Sequence, residues 1–406
     1  MENTSLNRAF SKICIIGLGY IGLPTGSILA NRGYDVIGVD VQPEIVRTIN
    51  EGRIHIVEPD LDILVRAGVN SGKLKASLKP EKAEVFIICV PTPFKEGHKP
   101  DMSYVEDSTH AIVPYLEKGN LVILESTSPA GTCEKIIRPI IEKAGWKVDE
   151  EILVAHCPER VLPGQILKEC IENDRVIGGI SPKSALRAKE LYSTFVNGQI
   201  FLTDCTTAEM AKLTENSFRD VNIAFANELA NICDRMGINV WELITLANRH
   251  PRVKILNPGP GVGGHCIAVD PWFIVDSCPE EAKLIRTARE VNDDRPNRVI
   301  QRIQKAAEKF KKPTIGMLGL AFKANIDDLR ESPAVKITRS VLSMNLGEVL
   351  ICEPNVKSSK EFQLHQLGDI INKADILVVL VDHQQFKQLD KSLLNEKVII
   401  DTRGIW

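Results

Sequence analysis

The sequence predicts an α/β protein in which two Rossmann-like parallel-sheet domains are joined by a helical central domain with a long helix. Short apolar runs alternate with helical patterns in the first half of the chain, and this alternation returns near the carboxyl end. Between them, residues 206–236 carry apolar side chains at helical spacing without a glycine or proline. The length of 406 residues suits two or three domains, and we place them at 1–204, 205–300 and 301–406.

The amino-terminal domain is predicted from its strand-like runs and one strong helix signal. Ser181 followed by Pro182 is typical of a helix start, because the serine caps the helix and proline suits its first turn. A first helix is expected at 21–31. The strands of the sheet are expected at 12–17, 35–40, 85–90, 121–125, 152–155 and 175–178.

The second alternating set begins after Pro313. Ser332 and Pro333 repeat the helix-start signal, and a further helix is expected at 301–310. Strands are expected at 314–319, 349–352, 375–381 and 397–401. The two alternating halves are a coarse echo of each other rather than a short-period repeat.

Composition excludes several classes of protein. The 50 Lys and Arg against 53 Asp and Glu give a formal charge of −3, so nothing general favours nucleic acid or an anionic membrane as partner. We find no apolar run as long as a membrane-spanning helix requires. The 10 cysteines include no Cys-x-x-Cys pair, and the first residues are polar. These features predict the reducing cytoplasm.

A cofactor site is predicted where a strand meets a helix. Gly17, Gly19 and Gly22 form a Gly-x-Gly-x-x-Gly turn directly after the first strand. Such a turn lets a pyrophosphate approach the helix amino terminus. Asp40 ends the next strand, where a carboxylate accepts the ribose hydroxyls and repels a 2′-phosphate. We therefore expect NAD rather than NADP, with a purely structural turn as the alternative.

A chemical site is predicted at the glycine-rich loop that leads into Cys266. Four glycines and two prolines among residues 258–265 specify a loop whose backbone can approach a ligand closely. Cys266 differs from the other nine cysteines, which look buried, and its place suits a nucleophile. A loop cysteine without a role is the alternative.

Other candidates lie on a helix and beside two further elements. Lys212, Asn216 and Arg219 share one face of the long predicted helix, either to stabilise an oxyanion or as a solvated polar stripe. Asp270 before Pro271 looks like a helix cap, and a catalytic role would be additional. Glu159 follows a strand and is a candidate base, with an exposed loop carboxylate as the alternative.

A metal is not expected. His250, His265 and Cys266 could suggest one, but no further ligand follows at a usual spacing.

The order of motifs along nearly the whole chain resembles the UDP-glucose/GDP-mannose dehydrogenase family. These motifs are the glycine turn at 17–22, Val-Pro-Thr-Pro at 90–93, Ser-Thr at 126–127, Cys-Pro-Glu-Arg at 157–160, Ala-Glu-Met-Ala-Lys-Leu-Thr-Glu-Asn at 208–216, Gly-Gly-His-Cys at 263–266 and Gly-Leu-Ala-Phe-Lys at 319–323. The resemblance implies a four-electron oxidation of a sugar C6 alcohol to a carboxylate with two NAD. Cys266 would carry a thiohemiacetal and then a thioester.

Two positions refine the resemblance. The UDP-glucose branch usually has Ser and Lys where this chain has His265 and Val269. The resemblance therefore favours UDP-N-acetyl-D-mannosamine as substrate, with UDP-N-acetyl-D-glucosamine as the close alternative. The product would be a uronic acid for surface polysaccharide.

The resemblance also implies roles for individual residues. Lys212 and Asn216 would stabilise oxyanions, Asp270 would assist proton transfer, and Glu159 would help the hydrolytic water. A homodimer through the long helix is implied. The cofactor would contact Tyr20, Ile21, Asp40, Thr92 and Thr127. The UDP-sugar would contact Arg160, Val161, Lys212, Asn216, Arg219, His250, Arg252, Gly263, Lys323 and Arg330.

Two other functions remain open. A two-electron 3-hydroxyacid dehydrogenase shares the Rossmann domain and a catalytic lysine on a helical domain, but needs neither the Cys266 loop nor a third domain. A non-catalytic NAD sensor needs the glycine turn without the set formed by Lys212, Asn216 and Cys266.

Overall fold

The structure, a computed structural model, describes residues 9–162, 164–264 and 266–406. The chain divides into two compact units, one that ends at Thr214 and one that begins at Glu215. Long helix α8 (Cys205–Met236) is the element in which one unit ends and the next begins. The predicted division at 204 and 300 stays a prediction.

The first unit is built on an eight-stranded sheet. Its strands are β1 (Lys12–Ile16), β2 (Asp35–Val39), β3 (Leu74–Ser77), β4 (Val85–Ile88), β5 (Leu121–Leu124), β6 (Leu153–His156), β7 (Arg175–Gly179) and β8 (Ile200–Asp204). They lie in the order β3-β2-β1-β4-β5-β6-β7-β8, and β6 and β7 pair antiparallel while the other neighbours pair parallel. The carboxyl ends of β1, β4, β5 and β6 therefore meet at one edge, where parallel sheets bind their ligands.

Helices cover both faces of this sheet. They are α1 (Gly22–Asn31), α2 (Pro43–Asn50), α3 (Leu61–Asn70), α4 (Ser103–Ile112), α5 (Arg138–Lys143), α6 (Ile166–Glu172) and α7 (Pro182–Tyr192), with 3₁₀ turns at Glu96–His98 and Val113–Tyr115. A π-helical turn, Cys133–Ile137, leads into α5. The central strands are apolar at every position because both of their faces are buried, and each face has its own core.

The second unit combines helices with a four-stranded sheet. Its helices after α8 are α9 (Val240–Ala247), α10 (Asp270–Ser277), α11 (Lys283–Ala307), α12 (Pro333–Ser343), α13 (Leu367–Lys373) and α14 (Gln384–Lys387), with a 3₁₀ turn at Lys391–Leu394. Strands β9 (Thr314–Leu318), β10 (Glu348–Cys352), β11 (Ile376–Val379) and β12 (Val398–Asp401) are all parallel, in the order β10-β9-β11-β12.

These elements confirm the predicted fold class. Ser181 accepts a hydrogen bond from the Ser184 amide, and Ser332 accepts one from the Ala334 amide, so both predicted helix starts are confirmed. Helix α8 begins one residue earlier than predicted. Helix α11 is much longer than the predicted 301–310. It contains Pro296, although a proline inside a helix usually kinks or ends it. Among the described residues, no helix has both the length and the apolar character to cross a membrane.

The two sheets repeat one turn with different outcomes. Gly17 after β1 and Gly319 after β9 both have φ of +95°. In each case the next amide donates to a carboxylate that follows the neighbouring strand, Asp40 in the first sheet and Glu353 in the second. Asp40 is half-buried, whereas Glu353 is buried and pairs with the buried His383 at 3.1 Å. In the second turn the carboxylate is therefore bonded to buried groups of the protein itself.

Replacing Glu353 by glutamine should lower the free energy of unfolding by about 1.5–3 kcal/mol near neutral pH, the usual range for hydrogen bonds to a charged group. Burial raises the pKa of the Glu353 carboxyl, but hydrogen bonds from His383 and the Leu320 amide bring it below its ordinary value of 4.5. The unfolded chain therefore takes up this proton more readily, so the contribution is present above pH 4.5 and is lost as the pH falls below it.

Urea unfolding at successively lower pH checks this expectation. The difference in free energy of unfolding between wild type and Glu353→Gln should shrink in acid. A difference that does not change with pH would contradict the expectation. Glu361→Gln is the matched control, because that carboxylate lies on the surface in an ion pair with Arg339 and should change stability little.

Candidate active site

The glycine turn after β1 has the geometry that a dinucleotide requires. A Cβ on Gly17 would lie 2.4 Å from the Cys89 carbonyl oxygen, and one on Gly22 would lie 1.9 Å from the Gly17 carbonyl oxygen. Neither position therefore accepts a side chain. Gly19 has no atom within 4 Å of its Cβ direction, so its space is open to a ligand. The turn fits a pyrophosphate at Gly19.

The predicted ribose and turn residues surround this glycine. One Asp40 oxygen accepts the Leu18 amide at 3.2 Å and the other accepts the Gln42 amide at 3.0 Å, which fixes the carboxylate and leaves lone pairs for hydroxyl groups. Tyr20 is 39% exposed. Ile21 is half-buried and precedes the first residue of α1. The residues present fit NAD.

The structure brings together the two predicted threonines. Thr92 donates its hydroxyl to the Thr127 carbonyl at 2.6 Å. Beside them, the Ser126 hydroxyl accepts the Val90 amide at 2.9 Å and donates to the Val90 carbonyl at 2.8 Å. The loops that follow β4 and β5 are therefore tied to each other at the ligand-binding edge of the sheet.

Glu159 is not an exposed loop carboxylate, so that alternative is wrong. Its side chain is buried and forms an ion pair with buried Arg175 at 2.7 Å. The Arg160 amide donates to the other Glu159 oxygen at 2.8 Å, and the Arg160 guanidinium donates to the Asp174 carbonyl. Val161 is half-buried against the core. Glu159 therefore lies below the surface of the edge, held by a cation.

Helix α8 carries three of the predicted residues at different depths. Lys212, in the first unit, is half-buried. In the second unit Asn216 is 5% exposed, whereas Arg219 is exposed. A solvated polar stripe is therefore wrong for Asn216, whose burial requires a hydrogen-bond partner.

That partner is Asp270. The Asn216 side-chain amide donates to the Asp270 carboxylate at 2.5 Å, and both groups are buried. The predicted helix cap is wrong, because Asp270 is the first residue of α10 and Val269 occupies the cap position without a side-chain bond. The Asp270 carboxylate therefore joins α10 to α8 through a buried hydrogen bond.

Cys266 lies in the turn that leads into α10, four residues before Asp270. Its carbonyl accepts the amides of Val269 at 3.0 Å and Asp270 at 2.8 Å, which fixes its backbone to the first turn of the helix. The residue is exposed. Cys278 is exposed as well, so the expectation that the other nine cysteines are buried is wrong for that residue. His265, which precedes Cys266 in the motif, lies outside the described residues.

The glycines of the loop pack against protein atoms. A Cβ on Gly263 would lie 2.4 Å from the Glu331 carbonyl oxygen, and one on Gly264 would lie 3.0 Å from the Phe322 ring. A Cβ on Gly261 would lie 3.0 Å from Pro333. The sequence predicts that these glycines allow a ligand to approach the loop. The structure shows that they also allow the segment after β9 to pack closely against it.

A buried polar network beside the loop was not predicted. Asp220 on α8 accepts from Arg289 at 2.5 Å and from Asn292 at 2.8 Å, both on α11. Arg289 also bonds to Asp293, which is 45% exposed. Asp220, Arg289 and Asn292 are themselves at most 1% exposed. The pair thus places two opposite charges inside the second unit.

The network continues to the loop backbone. Asn227 donates to Asn292 at 2.9 Å and accepts the Gly259 amide at 2.8 Å. Arg295 donates to the Gly259 carbonyl at 3.0 Å and also bonds to Asn231. Both backbone groups of Gly259 are therefore paired by buried side chains. Asn216, Asp220, Asn227 and Asn231 share one face of α8, a spacing that could have revealed this network.

The predicted cations of the second unit are exposed, and their side chains have different surroundings. Arg330 makes two hydrogen bonds to Asp328, at 2.6 and 2.9 Å. Lys323 lines a shallow cavity that also contains Arg403, a cation that the sequence reasoning missed. His250 and Arg252 are exposed on a turn that is closed by hydrogen bonds between Asn248 and Ile255.

Comparison with known families matches three consecutive parts of the chain to one family. Residues 11–196 match the NAD binding domain of the UDP-glucose/GDP-mannose dehydrogenase family. Residues 206–294 match its central domain, and residues 316–406 match its UDP binding domain.

Individual proteins are similar over nearly their full length. The NDP-N-acetyl-D-galactosaminuronic acid dehydrogenase of Ralstonia nicotianae is 57% identical, covering 98% of this chain and 96% of the relative. The UDP-N-acetyl-D-mannosamine dehydrogenase of Campylobacter jejuni is 55% identical, covering 93% and 96%. The solved structure of the UDP-D-ManNAc dehydrogenase of Pyrococcus horikoshii has a TM-score of 0.90 at 43% identity, covering 97% and 96%.

Replacing Asp220 by asparagine should lower the free energy of unfolding by about 3 kcal/mol, because it leaves the buried Arg289 guanidinium with one partly exposed counter-charge. Chemical denaturation measures this. Asp293→Asn is the matched control on the same guanidinium, and we expect less than about 1 kcal/mol for that exposed partner. Equal losses of unfolding free energy in the two variants would show that the buried partner of Arg289 contributes no more than the exposed one.

Proposed function

Because the chain belongs to the UDP-glucose/GDP-mannose dehydrogenase family, we propose that it oxidises the C6 alcohol of UDP-N-acetyl-D-mannosamine to the carboxylate. NAD is the cofactor: the family's NAD binding domain spans the glycine turn, Asp40, Thr92 and Thr127. The family's UDP binding domain likewise supports a UDP-sugar as substrate and spans Lys323, Arg330 and Arg403.

One arrangement carries the proposal. The Asp270 amide is bonded to the Cys266 carbonyl, while the Asp270 carboxylate is bonded to the Asn216 side chain. Three residues of the predicted catalytic set are therefore connected by hydrogen bonds inside one unit. A two-electron hydroxyacid dehydrogenase needs no such cysteine, and an NAD sensor needs none of the three.

The chemistry follows from these groups. NAD, when bound, accepts the two electrons that the sugar loses in each of two oxidations. The Cys266 sulfur adds to C6 of the aldehyde that the first oxidation leaves, and the thiohemiacetal is oxidised to a thioester. Water cleaves the carbon–sulfur bond, which releases the carboxylate and returns the thiol.

The remaining residues act on charge and protons. Asn216 keeps one amide hydrogen that Asp270 does not use, and this hydrogen and the Lys212 ammonium stabilise the oxyanions on C6. Asp270 assists proton transfer, and Glu159 accepts a proton from the hydrolytic water. The cations Arg160, Arg219, Arg252 and Lys323, with His250, hold the diphosphate and sugar.

The sugar has a specific second candidate. The relative from Campylobacter carries the name of the mannosamine substrate, and the relative from Ralstonia is named for N-acetyl-D-galactosaminuronic acid at similar identity. The N-acetylated galactosamine nucleotide is therefore the runner-up, ahead of UDP-N-acetyl-D-glucosamine. In either case we propose that the uronic acid serves surface polysaccharide.

A panel of UDP-sugars tests the reaction. We expect two NADH for each UDP-N-acetyl-D-mannosamine consumed and no free aldehyde, because Cys266 retains the half-oxidised sugar. Faster turnover of the N-acetylated galactosamine nucleotide would identify that nucleotide as the substrate instead. A yield of one NADH per sugar would instead indicate the two-electron class.

The same measurement on Cys266→Ala separates the chemistry from binding. This variant should form no carboxylate, and Cys278→Ala is the matched control because that cysteine is exposed as well. Normal carboxylate yield from Cys266→Ala would exclude the covalent step.

We also propose a homodimer through α8. Phe218, Phe225 and Ile232 recur every seven residues on this helix and are 67%, 51% and 45% exposed. A stripe of large apolar side chains on one helix face is typical of an association surface.

Phe225→Glu should convert the dimer to a monomer, because the interface would have to bury an unpaired carboxylate. Sedimentation equilibrium measures the mass. Leu186→Glu is the control, since Leu186 is 53% exposed on a different helix, α7. A wild-type monomer, or a dimer that survives Phe225→Glu, would contradict the proposal.

A further inference from the structure

Three buried side chains that the proposed function does not use meet on one face of the first sheet. They are Cys133 at the start of the π-helical turn, His156 at the end of β6 and Glu209 on α8. All three are fully buried, and one possible ligand atom from each lies within 4.8 Å of the others. A thiol, an imidazole and a carboxyl group in contact within an apolar core require a physical reason.

His156 gives the clearest sign that the cluster has a ligand. It has no exposed surface, and neither ring nitrogen has a hydrogen-bond partner among the residues that the structure describes. An unpaired polar group in the core is destabilising, so a buried imidazole without partners indicates a ligand. A neutral imidazole has an N–H on one ring nitrogen and a lone pair for a ligand on the other.

Glu209 is held in position by backbone groups. One of its oxygens accepts the Gly131 amide at 2.5 Å and the other accepts the Cys133 amide at 2.9 Å. Each oxygen retains a lone pair, since a carboxylate offers about four acceptor positions. The loop that follows β5 therefore places the Glu209 carboxylate beside the Cys133 thiol.

The charges of the donor set also fit a divalent cation. One thiolate and one carboxylate neutralise two positive charges, and a neutral imidazole adds none.

We propose that Cys133, His156 and Glu209 bind one Zn²⁺ ion. Sulfur, nitrogen and oxygen donors are the set that zinc prefers, and three protein ligands leave one of its four tetrahedral positions for a water molecule. Zinc–ligand bonds of about 2.0–2.3 Å place tetrahedral donors roughly 3.5 Å apart, so donor atoms that lie within 4.8 Å of one another draw closer by at most about 1.3 Å on binding. The Cys133 thiol releases its proton, because zinc binds the thiolate.

The ion would have a structural role beyond the proposed reaction. It joins the π-helical turn after the Thr127 loop, the end of β6 and the part of α8 that precedes Lys212, all within the first unit. π-helical turns are rare and recur at functional sites. The zinc therefore fixes elements that carry predicted cofactor and catalytic residues without contacting the sugar.

Metal analysis of purified protein tests the site. After production with added zinc chloride and dialysis, the wild type should hold about one zinc per chain. Cys133→Ser and His156→Phe should each lose it. Cys14→Ala is the matched control, because Cys14 is equally buried in the core on the same face of the sheet and lies outside the cluster.

A second measurement needs no variant, in case these fail to fold. Wild-type protein loaded with cobalt(II) should show thiolate-to-cobalt charge transfer and the visible bands of tetrahedral coordination. Wild type that takes up neither zinc nor cobalt would overturn the proposal. Zinc that survives Cys133→Ser but is lost in Cys266→Ser would place the ion at the exposed loop and would also overturn it.

Discussion

The buried pair of Asp220 and Arg289 is the constraint on which the backbone of the glycine-rich loop in the second unit depends. The loop that ends at Cys266 has no regular secondary structure, so its backbone groups need partners from elsewhere. The pair anchors Asn292, which holds Asn227, and Asn227 reaches the Gly259 amide. A nucleophile on a loop becomes useful when such contacts fix its backbone in advance, because reaction then needs little reordering.

The loop glycines complete this constraint from the opposite side. Gly261, Gly263 and Gly264 allow Pro333 and Phe322 to pack where side chains would otherwise stand. The loop is therefore fixed by hydrogen bonds at one end and by backbone contact at the other, while the Cys266 side chain stays exposed. Rigidity of the backbone and exposure of the thiol are the two properties that covalent capture of an aldehyde requires.

The sequence predicts best those elements that depend on residues close together in the chain. Central strands are continuous apolar runs, so their positions were predicted to within about two residues. Strands β3 and β8 are not predicted, because they lie at the two edges of the sheet with partly exposed side chains. The prediction of 301–310 omits most of α11, which continues through Pro296. The connection of Asn216 to Asp270 and the cluster of Cys133, His156 and Glu209 join residues far apart in the chain, so no spacing rule could reveal them.

One buried guanidinium holds the acidic groups below the ligand-binding edge of the first sheet. Arg175 lies between two buried acids, Glu159 and Glu125, and forms its ion pair with Glu159. Burial raises the pKa of Glu125, whose oxygens are bonded to Tyr192 and contact the Cys89 thiol. One guanidinium then balances one carboxylate, and the second acid can remain neutral. Because the Arg175 guanidinium holds one Glu159 oxygen and the Arg160 amide holds the other, the carboxylate is fixed in position below the surface. A carboxylate proposed as a general base has to be held in this way, since proton transfer depends first on geometry.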